Sequence, residues 1–100
     1  MSLEPVRTSL LQNNITLNVT TWYTGCSGKE QAVKVLEEAA EMFAAWESAH
    51  ESRKTMIFTH LEDEIADVIT AACNLANMYD LDISEAMKRC VERNHERGRY

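Results

Sequence analysis

Two short stretches carry acids at spacings that suggest chemistry. "KVLEEAAEMFAAW", residues 34–46, places Glu37, Glu38 and Glu41 among apolar residues, and "LEDEIADVI", residues 61–69, holds four acids in six positions. At 100° per residue the three glutamates of the first stretch share one arc, opposite Leu36, Ala40 and Phe43. A solvated helix face accounts for such an arc taken alone. However, one turn on it carries Ala44, Ala45 and Ser48, side chains small enough to admit a second helix. In the second stretch Glu64 lies at the margin of the apolar stripe, with Asp67 one step round, and an acid there is costly unless paired or bound to a cation.

The elements that must hold these acids read as helices. Residues 29–49 keep Ala32, Val35, Leu36, Ala39, Ala40, Phe43 and Trp46 on one arc, and residues 56–80 keep Ile57, Leu61, Ile65, Val68, Ala72, Leu75 and Tyr79 on another. Both arcs are expected to form core, Trp46 and Tyr79 included. "HESRKT" is a polar turn between them, and "TGCSG" is a loop. Asp82 with Glu85 three residues on forms a capping signature for a last helix at 83–97. Residues 7–23 are ambiguous: Leu11, Ile15, Val19 and Trp22 have helical spacing within a Thr/Asn-rich segment, which is read as a short N-terminal helix. The expected class is all-α: an antiparallel helix hairpin, a C-terminal helix and a short N-terminal helix. They make a single domain over 1–100 with its core at about 20–97.

Composition narrows the function. At 100 residues and 45% hydrophobic content the chain makes one domain with a modest core, and a chain this short gains from self-association. A net charge of −6 argues against general nucleic-acid or membrane-surface binding. The sequence offers neither a span-length apolar run nor a signal peptide's basic start. The sequons at Asn14 and Asn18 are therefore read as incidental. Cys26, Cys73 and Cys90 are odd in number and lack a Cys-x-x-Cys pair, which suits reduced thiols in a cytoplasmic protein.

An antiparallel hairpin about "HESRKT" would bring residues equidistant from the turn to one height. Glu41 and Glu64 are centred on position 52.5, as are Glu38 and Asp67. Four carboxylates then meet in one patch, where like charges about 4 Å apart repel by roughly 4 kcal/mol per pair at an effective dielectric near 20. A hard divalent cation relieves this, and an all-oxygen site without histidine suits Mg2+, or Mn2+ in its place. Such sites take their remaining ligands from water and phosphate. The last helix supplies matching cations in Lys88, Arg89, Arg93 and Arg97, with Arg99 beyond it; Asn94 and Arg97 continue the arc of Ile83, Ala86, Met87 and Cys90 and are expected to face inward. Complementing the helix dipole is the plain alternative for these cations.

"EEAAE", 22 intervening residues and then "EIAD" resembles the EExxE…ExxD signature of the MazG-like all-α nucleoside triphosphate pyrophosphohydrolases. Lys34, four residues before Glu38, fits the same pattern. "ERNHER" resembles the family's closing Asn followed three residues later by Lys or Arg, here Asn94 and Arg97. The Thr/Asn-rich N-terminal segment departs from the family's substrate-recognising first helix. The resemblance implies magnesium-dependent hydrolysis of a nucleoside triphosphate to the monophosphate and pyrophosphate. It further implies a homodimer or homotetramer with the active site near the subunit interface. On that resemblance Glu38, Glu41, Glu64 and Asp67 are the metal ligands, and Glu37 is an outer-sphere ligand or general base, or simply solvated. Glu37, Glu38 and Glu41 are together the candidate catalytic group. Lys34, Arg93, Asn94 and Arg97 are the phosphate-binding candidates, and Trp22 either stacks on a base or anchors core.

Two rivals remain. A di-iron bundle could use the Glu-x-x-His pairs Glu47/His50 and Glu92/His95, although their level misses the Glu64/Asp67 patch. A non-catalytic helical adaptor would leave the acids solvated.

Overall fold

The computed structural model describes residues 6–12, 15–21, 25–51 and 59–98. Two strands, β1 (Val6–Gln12) and β2 (Ile15–Thr21), precede three helices, α1 (Gly28–Glu51), α2 (Thr59–Met78) and α3 (Ile83–Glu96). The all-α helical class therefore holds for the body of the chain.

The short N-terminal helix is corrected to a β-hairpin. β1 and β2 pair antiparallel from Val6↔Thr21 to Gln12↔Ile15, leaving Asn13 and Asn14 between them. β-branched residues recur along both strands, and these stiff side chains favour extended backbone over helix. The helical spacing of Leu11, Ile15 and Val19 was thus coincidental, and Trp22 lies outside the described residues. An isolated hairpin is marginal in water. This one leans on helices, β1 on α3 and β2 on α2. Thr21, only 2% exposed, fixes the junction. Its hydroxyl donates to the Val6 carbonyl (3.4 Å) and accepts from Asn77 Nδ2 (2.8 Å).

The helix ends follow from their residues. Ser27 opens α1 with a capping box: its hydroxyl accepts from the Glu30 N–H (3.1 Å), and the Glu30 carboxylate accepts from the Ser27 N–H (3.4 Å). α2 closes with Asp80 at φ 52°, where the Leu81 N–H reaches Ala76 O (3.0 Å) and the Asp80 N–H reaches Asn77 O (3.4 Å), a Schellman pattern. Asp82 then caps α3 by accepting from the Glu85 N–H at 2.9 Å, as its spacing predicts.

α1 and α2 form the antiparallel hairpin. Gln31 Nε2 donates to the Ala71 carbonyl (3.0 Å), carboxylates of Glu38 and Glu41 meet that of Glu64, and Ser48 shares a cavity with His60. Ascending residues on one helix therefore meet descending residues on the other. What faces inward is a strip between the acidic and apolar arcs, with Glu38 on it and Glu37 and Glu41 exposed. The buried residues of α1 are Gln31, Ala45 and Ala49, with Val35, Glu38 and Met42 half-buried between them. Leu36 is 70% exposed, and Phe43, Trp46, Ile65 and Tyr79 are exposed too. The expectation that the apolar arcs form core holds in part: Val35, Ala39, Leu61, Val68 and Leu75 are half-buried, whereas Leu36, Phe43, Trp46, Ile65 and Tyr79 are left outside. Phe43 and Trp46 stack on each other there at 5.8 Å between ring centres. Tyr79 lies over the start of α1, where a methyl group on Gly28 would overlap its hydroxyl.

Candidate metal centre

Carboxylate oxygens of Glu38, Glu41 and Glu64 lie within 4.8 Å of one another, the former two projecting from the middle of α1 and the last from the first half of α2. Glu38 and Glu41 are three apart and so share a face of α1. Ala45 and Ala49, one and two turns on, are small enough to bring α2 against that face. Asp67, one turn beyond Glu64, is exposed and stands outside this closest group, yet its charge acts on Glu38. The common centre of the two acid pairs has thus gathered three of the four carboxylates closely and the fourth at longer range.

The cluster concentrates like charge on Glu38. Partial burial raises the Glu38 carboxyl above its ordinary value of 4.5, and the charge of Glu41, a hydrogen bond with Glu41, and the charges of Asp67 and Glu64 all push the same way. Glu38 Oε2 and Glu64 Oε2 are buried without a hydrogen-bond partner. Buried carboxylate oxygens are ordinarily satisfied, so two orphans facing one cluster call for a cation. The donor set is hard oxygen, which suits Mg2+ or Mn2+. The residues present therefore fit the metal.

One residue that sequence reasoning passed over borders this site. His60 Nε2 lies 3.7 Å from Glu64 Oε1, one helical turn away. With Glu41, Glu64, Ala44, Ala45 and Ser48 it lines a cavity of about 250 Å³. The i, i+4 relation of His60 to Glu64 was the available signal. A larger cavity of about 490 Å³ runs along the opposite, N-terminal side of the acids, lined in part by Cys26, Lys29, Lys34 and Glu37. Lys34 and Glu37 are both exposed there.

The basic helix is placed differently from expectation. α3 packs principally on β1 and contains no buried residue. Arg93 and Arg97 are exposed, Arg97 as the C-terminal cap, so the inward-facing expectation for Arg97 is corrected. α3 rests on β1 rather than against the acids, so its C-terminal end is not directed at them. Asn94 is half-buried and its Nδ2 donates to Cys90 Sγ at 3.6 Å. Among the described residues no Lys or Arg pairs with the clustered acids; the ion pairs are His60–Glu64 and Lys88–Glu85. Among them, too, Glu47, Glu92 and His95 stand outside the carboxylate group, and the side chain of His50 lies outside the described residues. Cys73 is buried and its thiol is pushed up by that burial, as befits an unreactive core thiol. Among the described residues no helix is long and apolar enough to cross a membrane.

A three-helix body with paired acids on its two longest helices defines a class of helical, carboxylate-centred folds. Residues 28–100 match the family model described as the MazG nucleotide pyrophosphohydrolase domain, and the chain belongs to that family. The match begins at the first residue of α1, so the β-hairpin lies outside it. No curated protein and no solved structure matches the chain.

Proposed function

We propose that the chain is a magnesium-dependent nucleoside triphosphate pyrophosphohydrolase, releasing the monophosphate and pyrophosphate. The observation that carries this reading is the convergence of Glu38, Glu41 and Glu64 with two orphaned oxygens inside the region matched to the family. In this reading Glu38, Glu41, Glu64 and Asp67 hold the ion, with Mn2+ an alternative to Mg2+. When bound, the ion supplies Lewis-acid polarisation of the phosphates and acidification of a water. Glu37, exposed beside the larger cavity, takes a proton from the attacking water or orients it through the outer sphere. Lys34 faces the same cavity and neutralises phosphate charge. Arg93, Asn94 and Arg97 bind phosphate or the leaving pyrophosphate, a role that a second copy must help assemble because α3 packs on β1 in its own chain.

Self-association is supported by surface. The chain exposes 7924 Å², against roughly 5,800 Å² expected for a compact monomer of its mass. The radius of gyration of 15.5 Å likewise exceeds the about 13 Å of a compact hundred-residue domain. Leu36, Phe43 and Trp46 give the exposed surface an apolar stripe suited to a second copy. The working assembly is a homodimer or homotetramer formed by a single domain over 1–100.

The decisive assay measures pyrophosphate release from a panel of canonical and modified nucleoside triphosphates, with magnesium or with chelator. Turnover that needs magnesium and is lost in Glu41→Gln supports the enzyme. A chain that neither binds magnesium nor releases pyrophosphate from any of them is an adaptor.

A further inference from the structure

We propose that His60 is an additional ligand of this metal centre, making it a mixed nitrogen–oxygen site that accepts a first-row transition dication in place of Mg2+. The inference rests on the carboxylates being metal ligands, as argued above. His60 and Glu64 occupy one face of α2 a turn apart, and the imidazole Nε2 already stands 3.7 Å from Glu64 Oε1. Two donors about 2.0–2.1 Å from a shared ion lie about 2.9 Å apart at a right angle and about 3.3 Å apart at a tetrahedral one. Toward Glu64 the gap is thus about 0.4 Å at a tetrahedral angle and about 0.8 Å at a right angle, and coordination further requires the imidazole to turn toward Glu41. The imidazole stands outside the group of three carboxylates, and with its side chain 69% exposed it is free to rotate inward.

The surroundings leave room for that movement. Ala44, Ala45 and Ser48 give the shared cavity about 250 Å³, several times the roughly 30 Å³ of one water. An ion with its waters therefore fits between Glu41, Glu64 and His60. Imidazole is a borderline donor that binds Fe2+, Co2+, Ni2+ and Zn2+ well, whereas Mg2+ favours carboxylate, carbonyl and water oxygens. A histidine at this position changes the order of metal preference while the four acids keep the charge. A second reading of the same contact, an exposed i, i+4 ion pair that merely softens the acidic field, makes no distinction between metals of equal charge.

Calorimetric titration of the full chain with CoCl2 and with MgCl2 separates the two. Wild type should bind Co2+ more tightly than Mg2+. His60→Ala should lose about ten- to a hundredfold for Co2+, the scale on which metal sites respond to loss of a supporting group, with Mg2+ affinity changed less than about threefold. His60→Gln, which keeps a polar side chain, should behave as the alanine variant does. Independently, the Co2+-loaded wild type should show a hyperfine-shifted, exchangeable imidazole N–H signal by proton NMR that disappears in both variants. Equal losses for Co2+ and Mg2+, or an imidazole signal that persists in His60→Ala, would overturn the assignment while leaving the carboxylate site intact. Absence of binding by either metal to wild type overturns the carboxylate site itself, and the His60 assignment with it.

Discussion

Glu64→Gln should make the metal-free protein slightly more stable while removing its response to magnesium. The Glu64 side chain is 14% exposed, and its carboxylate meets that of Glu41 within 4.8 Å. Two unit charges at that separation repel by about 0.9 kcal/mol in bulk water and about 3.5 kcal/mol at an effective dielectric of 20. Exposure of Glu41 places this pair near the lower figure, about 1 kcal/mol. Against that stands the lost His60–Glu64 pair, worth up to about 0.5 kcal/mol for an i, i+4 contact. The new amide can also donate to a neighbouring carboxylate. The net gain of about 0.5 kcal/mol corresponds to about 2–4 °C in Tm for a domain of this size. Magnesium at about a hundredfold its Kd stabilises wild type by about 2.7 kcal/mol, which is upwards of about 10 °C. Thermal melts in chelator and in millimolar magnesium, at constant ionic strength, read both effects. If Glu64→Gln melts well below wild type in chelator yet keeps the full magnesium shift, the acids are not a cation site.

The raised Glu38 carboxyl gives a pH dependence of definite sign. Because its folded value lies above 4.5, the folded state holds the proton more tightly than the unfolded one. Its contribution therefore favours folding at low pH and is lost as pH rises through the interval above 4.5. Metal-free protein should lose stability on that account as pH rises through this interval. The magnesium shift should shrink as pH falls into it, because proton and cation compete; melts across pH 4–7 with Glu38→Gln as the control would show both trends. Leu36→Glu places a charge at the most exposed point of the α1 stripe. On the proposed self-association it should lower the mass in light scattering to that of a monomer while helicity is retained, and a mass equal to that of wild type would refute an interface at this stripe.

The helices were legible because their signals are local. The Asp82 cap needs only Glu85 three residues on, and the observed α3 starts where that pair predicts. The convergence of Glu38 and Glu41 with Glu64 was legible too, since a helix hairpin maps sequence symmetry onto height, whereas Asp67 stands outside that group. The N-terminal segment was not. Its apolar residues at 11, 15 and 19 satisfy helical spacing, and only pairing with a second strand, a tertiary fact, settles the matter for β-branched residues. His60 was passed over for another reason: a histidine beside a glutamate one turn on is commonplace, and its meaning appears only when Glu41 arrives from the other helix.

The sidedness of α1 is the most instructive departure. Amphipathic reading assumes that the larger apolar arc turns toward the neighbouring helix, which holds when one chain must bury everything itself. Here the buried positions are Ala45, Ala49 and Ala71, residues too small to supply much hydrophobic energy but able to let two backbones come together. That approach sets Glu38 and Glu41 against Glu64, at an electrostatic cost the chain cannot offset alone. The bulky arc of Leu36, Phe43 and Trp46, which could offset it, faces solvent. Two needs are thus left open on opposite sides of one helix: a cation on the inner face and an apolar partner on the outer. A chain that met both internally would have no place for a cation-bound ligand between its helices. On the assignment made above, the same economy of small residues that strains the fold is what keeps space at Ala44, Ala45 and Ser48 for the chemistry.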